Sequence, residues 1–377
     1  MSEWHALTVV LGFRNREVER VGRCLASLQR QSFRDFKVIF VDYGSSREIS
    51  QAVKIVVGQF DFCQYIYSET RGYPWNRSQA LNVGGRLAQS NFLMTTDVDM
   101  VFPPSFLEKF MNEISEERML YCYHHFLPPD FNDWNNLGNY IGRLPTATKA
   151  ALGACQCVST RVFKEIRGFD EYYKYWGVED ADIYQRLLAF GLQEKWLNEQ
   201  TQMFHQWHPE VNDKTPYFMP AGLRGRMENH RLRHQKQIVR NSEDWGHIHT
   251  SDERIALSFI DVELNHLLQR NDLQLFDRRP NSNREAGNLV IKFWDMPSGH
   301  ALAINYALYP NCSKSLDTLI RSVNKLLRTG GIKSRLDYEH NLLHSFLVEY
   351  IDDNPDLIAD YFLGLPTMDG ISVLVRA

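Results

Sequence analysis

The sequence predicts an α/β fold: a mostly parallel central sheet with helices on both faces, followed by a small C-terminal α/β accessory domain. Three observations predict it. Short apolar runs of strand length alternate with helically periodic stretches over residues 7–96, the pattern of repeated β-α-β units. The runs are continuously apolar rather than alternating, as in strands buried by helices on both sides. Finally, 377 residues exceed one compact domain, and about 150 residues per domain gives two to three.

The first run, residues 7–13, is closed by Arg14-Asn15-Arg16 and reads as a buried strand. Val18, Val21, Leu25 and Leu28 then recur at helical spacing. Residues 36–41 form a second strand, ending at the turn signal Asp42-Tyr43-Gly44-Ser45-Ser46. A third cycle runs from a strand at 62–67 through Gly72-Tyr73-Pro74 into a helix around 79–88. A fourth strand, 92–96, leads into Asp97-Val98-Asp99. In such sheets ligands bind beyond the carboxyl ends of the strands. Arg14, Asp42, Arg71, Asp97 and Asp99 all fall at those ends.

Asp42 alone reads as a helix cap or an Asx turn, and a D-x-D alone is common. Position changes their weight. On an extended chain the carboxylates of Asp97 and Asp99 point to one side, where they repel unless a cation sits between them or water solvates them.

Further along, Gly168-Phe169-Asp170-Glu171 precedes Tyr175-Trp176-Gly177-Val178-Glu179-Asp180-Ala181-Asp182 and a helix at 183–188. Glu179 and Asp180 stand at that helix start, where the dipole favours carboxylates. N-capping accounts for Asp182. For Asp180 it leaves the aromatic and glycine cluster unexplained. Trp176 beside Gly177 suits stacking on a sugar ring while Asp180 takes a hydroxyl proton. After a strand at 194–197 come His205 and His208, three residues apart. Imidazoles joined to a carboxylate suit a divalent transition ion such as Mn²⁺.

These residues resemble the GT-A glycosyltransferases, a Rossmann-like fold, specifically family 2 and its relatives, over about residues 5–250. The matching parts are Arg14-Asn15, Val41 to Ser45, Ala80-Leu81-Asn82-Val83-Gly84, Asp97-Val98-Asp99, the block at 168–182, and His205. The block resembles the acceptor-side motif of β1,4-galactosyltransferases and chondroitin-polymerase-type enzymes. The resemblance implies a UDP-sugar donor and a Mn²⁺ or Mg²⁺ cofactor. It also implies Asp42 on the uracil or ribose, Asp99 on the metal with Asp97 beside it on ribose or metal, and His205 as the other protein ligand, with His208 in reserve. Asp180 would be the base, while Trp176, Gly177 and Glu179 would shape the sugar or acceptor site. Tyr43 and Leu81 stand where the family usually has Asp and Arg. Arg71 or Arg77 could supply the missing positive charge to the nucleotide.

The implied reaction is inverting transfer of a hexose (Gal, GalNAc, GlcNAc or similar) to a glycan, lipid-linked or protein hydroxyl. A catalytically silent nucleotide-sugar or glycan-binding module shares the same fold. A nucleotidyltransferase would also use paired acids, but Gly12-Phe13-Arg14-Asn15 is no Lys-bearing phosphate loop.

The expected division is 1–100 for the nucleotide-sugar half, 101–250 for the acceptor half, and 251–377 for the accessory domain, available for oligomerisation. The accessory segment shows strands at 287–293 and 370–376, helices at 316–327 and 338–350, and a polar lead-in at 277–284. Residues 224–240 carry six Lys and Arg against Glu228, which reads as a segment closing over a diphosphate, a contact with anionic lipid, or a solvated helix. The whole chain has 42 basic and 46 acidic residues, a net −4, which argues against a nucleic-acid partner. Six scattered cysteines without a CxxC pair point to a reducing compartment. The early apolar run falls far short of the roughly 20 residues of a membrane span. The expectation is a cytoplasmic protein, with peripheral contact at the inner membrane face allowed by the basic stretch.

Overall fold

Side-chain alternation in the first strand builds a core on two faces. In β1 (His5–Phe13), Leu7, Val9, Leu11 and Phe13 lie on one face, packed with Val21, Leu25 and Leu28 of α1 (Val18–Gln29) and Val53 and Val57 of α2 (Arg47–Val57). Val10 faces the other way, among Leu81, Val162 and Phe163. Burying side chains of this kind stabilises by roughly 1.5–3 kcal/mol each, whereas helix propensities differ by about 1 kcal/mol or less. The helices therefore form because their apolar stripes have this sheet to cover.

The structure is a computed structural model. It describes residues 4–141, 143–145, 152–197, 202–209 and 223–254, and beyond them 289–296, 299–306, 348, 351–352, 358–363 and 370–376. They divide into two units, one of residues 1–70, 75–210 and 224–248, the other of 71–74, 211–223 and 249–377.

In the first unit β1 is followed by β2 (Phe36–Tyr43), β3 (Cys63–Ser68) and β4 (Ser90–Asp97), with α3 (Arg77–Leu87) before β4. Next come β5 (Met100–Val101), α4 (Phe106–Met111), β6 (Arg118–Cys122), β7 (His124–Phe126), β8 (Cys155–Ser159) and α5 (Thr160–Glu165). The unit ends with α6 (Glu179–Phe190), β9 (Gln193–Leu197), β10 (Met203–His205) and α7 (Leu223–Arg233). Seven strands make one sheet in the order β3-β2-β1-β4-β8-β6-β9. All its pairs are parallel except β4 with β8 and β8 with β6. This is the mixed, mostly parallel sheet that the sequence predicts.

Strand order reverses between β1 and β4, so a crevice opens beyond their carboxyl ends. Arg14 follows β1, Asp42 is the penultimate residue of β2, and Asp97 ends β4. A second small sheet, β5-β10-β7, stands beside it. No sequence pattern anticipates it, because strands of two or three residues are too short to show a period.

The second unit holds an antiparallel sheet of β11 (Leu289–Met296), β12 (Gly299–Tyr306), β13 (Ile358–Phe362) and β14 (Gly370–Arg376), in the order β11-β12-β14-β13. Both expected strands are present, and β12 and β13 are additional. The lead-in at 277–284 and the helix at 316–327 lie outside the described residues, as does the helix at 338–350 apart from Val348. Arg254, fully buried, pairs with Asp360 at 3.0 Å and stacks 3.8 Å from the Tyr73 ring, which ties residues 71–74 into this unit. The described cysteines Cys24, Cys63, Cys122, Cys155 and Cys157 are free thiols. Among the described residues no helix is long and apolar enough to cross a membrane.

Helix α3 starts on a side-chain cap. Asn76 accepts a hydrogen bond from the Gln79 amide at 2.9 Å and donates to the Glu171 carbonyl at 2.8 Å. Asn76→Ala removes both contacts of a buried amide, and a lost cap alone costs about 1 kcal/mol. We expect chemical denaturation to register a loss of about 1–3 kcal/mol; an unchanged midpoint would contradict the capping role.

Candidate active site and metal centre

Antiparallel pairing of β10 with β5 sets His205 opposite Met100, next to Asp99. The Gln206 amide then donates to the Asp99 carbonyl at 2.9 Å and carries the chain on to His208. His205 Nε2 stands 3.7 Å from Asp99 Oδ1, and His208 Nε2 stands 3.4 Å from Oδ2. One ligand atom from each of the three residues lies within 4.8 Å of the others. Asp99 Oδ1 is buried and accepts no hydrogen bond, although an unsatisfied buried oxygen is costly. Burial opposes ionisation of Asp99, but the His208 hydrogen bond and both imidazoles outweigh it and hold the carboxyl below its usual value. A carboxylate met by two imidazoles, with one oxygen orphaned, fits a divalent ion. Both histidines meet Asp99, so the structure favours neither.

Asp97 takes another partner. Val98 and Asp99 form a turn after β4, so the chain is not extended here and the expected alternation does not apply. Arg77 Nη2 pairs with Asp97 Oδ1 at 3.0 Å, and Asp97 is absent from the ligand cluster. The same guanidinium reaches Asp180 Oδ1 at 2.9 Å and donates to the Gly153 carbonyl at 2.7 Å. Asp180 Oδ2 has no hydrogen-bond partner among the described residues. It lies against Gly153, where an added Cβ would stand 2.2 Å from it. Only glycine leaves room for this carboxylate.

Just before α6 the backbone is strained. Tyr175 and Val178 have φ of 65° and 75°, and Gly177 has 94°. Positive φ at a β-branched residue is an outlier, and such strain collects at functional sites. The turn leaves Trp176 70% exposed, with the Arg224 guanidinium 5.8 Å from its ring. Glu179 is buried beside Asp180. Burial, then the Asp180 charge, push its carboxyl up to about 8 against the pull of Arg77.

Asp182 is not a simple cap. Its buried carboxylate accepts from Arg186 Nε at 2.8 Å and from the Tyr173 hydroxyl at 3.0 Å, and pairs with Arg240 at 2.9 Å. Arg240 and His230 both reach Asp170, at 3.2 and 2.9 Å. Arg231 bonds Glu228 and Gln185. Part of the basic stretch is therefore internal scaffold rather than a free anion-binding surface. Asn82 adds to that scaffold, donating to the Phe169 carbonyl and Glu171 and accepting from the Phe169 amide.

Asp42 is fully buried. Its carboxylate accepts from the Ser45 amide and the Tyr65 hydroxyl, both at 2.9 Å; the first bond reaches three residues on, one further than the Asx turn expected from sequence. Burial raises its carboxyl against those hydrogen bonds. Arg14 lies 5.9 Å over the Tyr43 ring. Arg71 groups with the second unit. Gly153 and Gln206 escape sequence reasoning, since neither residue type signals its contact. Arg77 shows only as a charge of unknown direction.

The mixed, mostly parallel sheet with its covering helices is a fold of the GT-A type. Residues 8–165 match the family model "Glycosyl transferase family 2", and residues 143–209 match "N-terminal domain of galactosyltransferase". Together these matches make residues 8–209, in the first unit, similar to glycosyltransferases. Among solved structures, S. aureus TarS is 18% identical, with a TM-score of 0.42 over 54% of this chain and 37% of that one. S. aureus TarS 1-349 in complex with UDP-GlcNAc is 15% identical, with a TM-score of 0.47 over 62% and 70%. The mannosyltransferase PcManGT from Pyrobaculum calidifontis, in complex with GDP-Man and Mn2+, is 15% identical, with a TM-score of 0.41 over 54% and 57%. The chain thus spans well under two thirds of full TarS.

The Glu179 shift has a sign that can be measured. With the folded value raised from 4.5 to about 8, its contribution to stability is complete below about 4.5 and is lost as pH rises through 8. Glu179→Gln removes that loss. Thermal midpoints should therefore shift in favour of the variant as pH goes from 5.5 to 8.5, and a pH-independent difference would refute the shift.

Proposed function

We propose that the protein is a metal-dependent, inverting glycosyltransferase that moves a hexose from a UDP-sugar to a hydroxyl of a glycan, lipid-linked or protein acceptor. The observation that carries this reading is the pairing of two features near the carboxyl ends of the sheet. One is the Asp99–His205–His208 donor set with its unsatisfied oxygen. The other is Asp180, linked to Asp97 through Arg77. A divalent ion held there supplies positive charge against the leaving diphosphate.

The remaining steps fall to the chain's own groups. Arg14, Asp42 and Asp97, at neighbouring strand ends, form the nucleotide side of this reading. Asp180 Oδ2 takes the proton of the acceptor hydroxyl. The hydroxyl oxygen bonds the anomeric carbon as the bond to the diphosphate breaks on the opposite face, so configuration inverts and the electron pair leaves with UDP. Glu179, protonated at neutral pH, donates a hydrogen bond to a sugar hydroxyl, and Trp176 and Gly177 present the ring face that stacks on a sugar.

A silent binding module is the second reading, favoured by one observation: Arg77 already neutralises one oxygen of Asp180. Turnover decides between them. Titration of UDP, UDP-Gal and UDP-GlcNAc with and without MnCl₂ should show metal-dependent binding, and its absence would sink the donor assignment. Asp180→Asn should keep UDP affinity but lower the rate of UDP release at least about 100-fold; comparable turnover would remove Asp180 as base. Asp99→Ala should abolish the Mn²⁺-dependent part of UDP affinity, as measured calorimetrically.

A further inference from the structure

Between the two histidines stands a glutamine whose surroundings are more demanding than its position suggests. Of residues 206–209, which follow β10 with no regular secondary structure, only Gln206 is buried, at 1% exposure. Trp207, its neighbour, is half exposed, and beyond its contact with Asp99 the His208 ring bonds only the adjacent Pro209 carbonyl. Strand pairing fixes His205, and beyond it the backbone leading to His208 is held at Gln206.

Three hydrogen bonds hold it. Its Oε1 accepts from Arg23 Nε at 2.5 Å, its Nε2 donates to the Arg20 carbonyl at 3.0 Å, and its backbone amide donates to the Asp99 carbonyl at 2.9 Å. A guanidinium only donates and a carbonyl only accepts, so one amide orientation satisfies both side-chain partners. A carboxylate would oppose the Arg20 carbonyl with a second acceptor. An apolar residue would leave both partners unsatisfied, at roughly 1–3 kcal/mol for each buried group. Arg23 is itself fixed, 4.9 Å from the Trp134 ring, and both arginines belong to α1.

We propose that Gln206 is the positioning residue of the metal centre, locking the His205–His208 segment to α1 and to Asp99 so that both imidazoles converge on one ion. This rests on the reading of Asp99, His205 and His208 as metal ligands. Gln206 makes no hydrogen bond to a ligand side chain; it acts by fixing the backbone between them. Partners outside the ligand set commonly change metal affinity by about 10–100-fold when mutated.

The test uses the full chain and MnCl₂ alone. Free Mn²⁺ is followed by electron paramagnetic resonance for the wild type, Gln206→Ala, Gln206→Glu and Asp99→Ala. The wild type should bind one equivalent and Asp99→Ala none. Both Gln206 variants should bind at least tenfold more weakly, and the rise in thermal midpoint produced by MnCl₂ should shrink accordingly. A merely structural glutamine would lower the metal-free midpoint yet leave the Mn²⁺ affinity of the folded protein unchanged, and that result overturns the proposal while the metal reading stands. If the wild type binds no Mn²⁺, the metal reading fails and this inference with it. Arg23→Met removes a single amide contact and carries the same test should the Gln206 variants not fold; its affinity should also fall, and wild-type affinity there overturns the proposal.

Discussion

One guanidinium, that of Arg77, joins three parts of the site: the end of β4 through Asp97, the start of α6 through Asp180, and the chain before β8 through Gly153. It is largely buried, and a buried charge persists only with partners whose geometry is good. Four carboxyls, Asp97, Asp99, Glu179 and Asp180, crowd this end of the sheet. Three different solutions keep them there. Asp97 and Asp180 share Arg77. Glu179 forms no ion pair with that cation, and burial with the Asp180 charge pushes its carboxyl up to about 8. Asp99 turns towards the histidines and keeps one oxygen unsatisfied. The division of labour follows from where a single cation can reach.

That constraint also explains which parts of the site were legible in the sequence. The buried parallel strands announce themselves as continuous apolar runs, and the residues after them necessarily face the crevice at the strand switch. Asp99 and the two histidines were legible as residue types suited to a divalent ion, without any knowledge of how they meet. Their meeting depends on the β5-β10-β7 sheet, whose strands are too short to leave a periodic trace. Asp97 and Asp99 were grouped by assuming an extended chain. The turn at Val98 and Asp99 breaks that assumption, and Arg77, twenty residues upstream, completes the separation.

The acidic block divides on the same principle of partners. Five acids stand between Gly168 and Asp182, and as a string they look equivalent. Asp182 and Arg186 are four residues apart on α6, a pairing visible in sequence. The third and fourth members, Arg240 and Tyr173, are not. Asp170 is held by His230 and Arg240, and Glu171 by Asn82 and the Gly246 amide. With three acids committed to scaffold, Glu179 and Asp180 are left at the helix start, under a strained turn.

The basic stretch acquires a different meaning from the one its charge suggests. In a chain of net charge −4, a cluster of arginines invites a search for an external anion. Here His230 and Arg240 meet anions that the protein itself supplies, at Asp170 and Asp182. Burial without such a partner pushes a carboxyl up, as it does at Glu179. His230 and the nearby arginines hold the Asp170 carboxyl below its usual value, and α7 with the residues after it brings His230 and Arg240 to these acids. The stretch and the block are therefore two halves of one buried network, which fixes the backbone on which the remaining two carboxyls are presented.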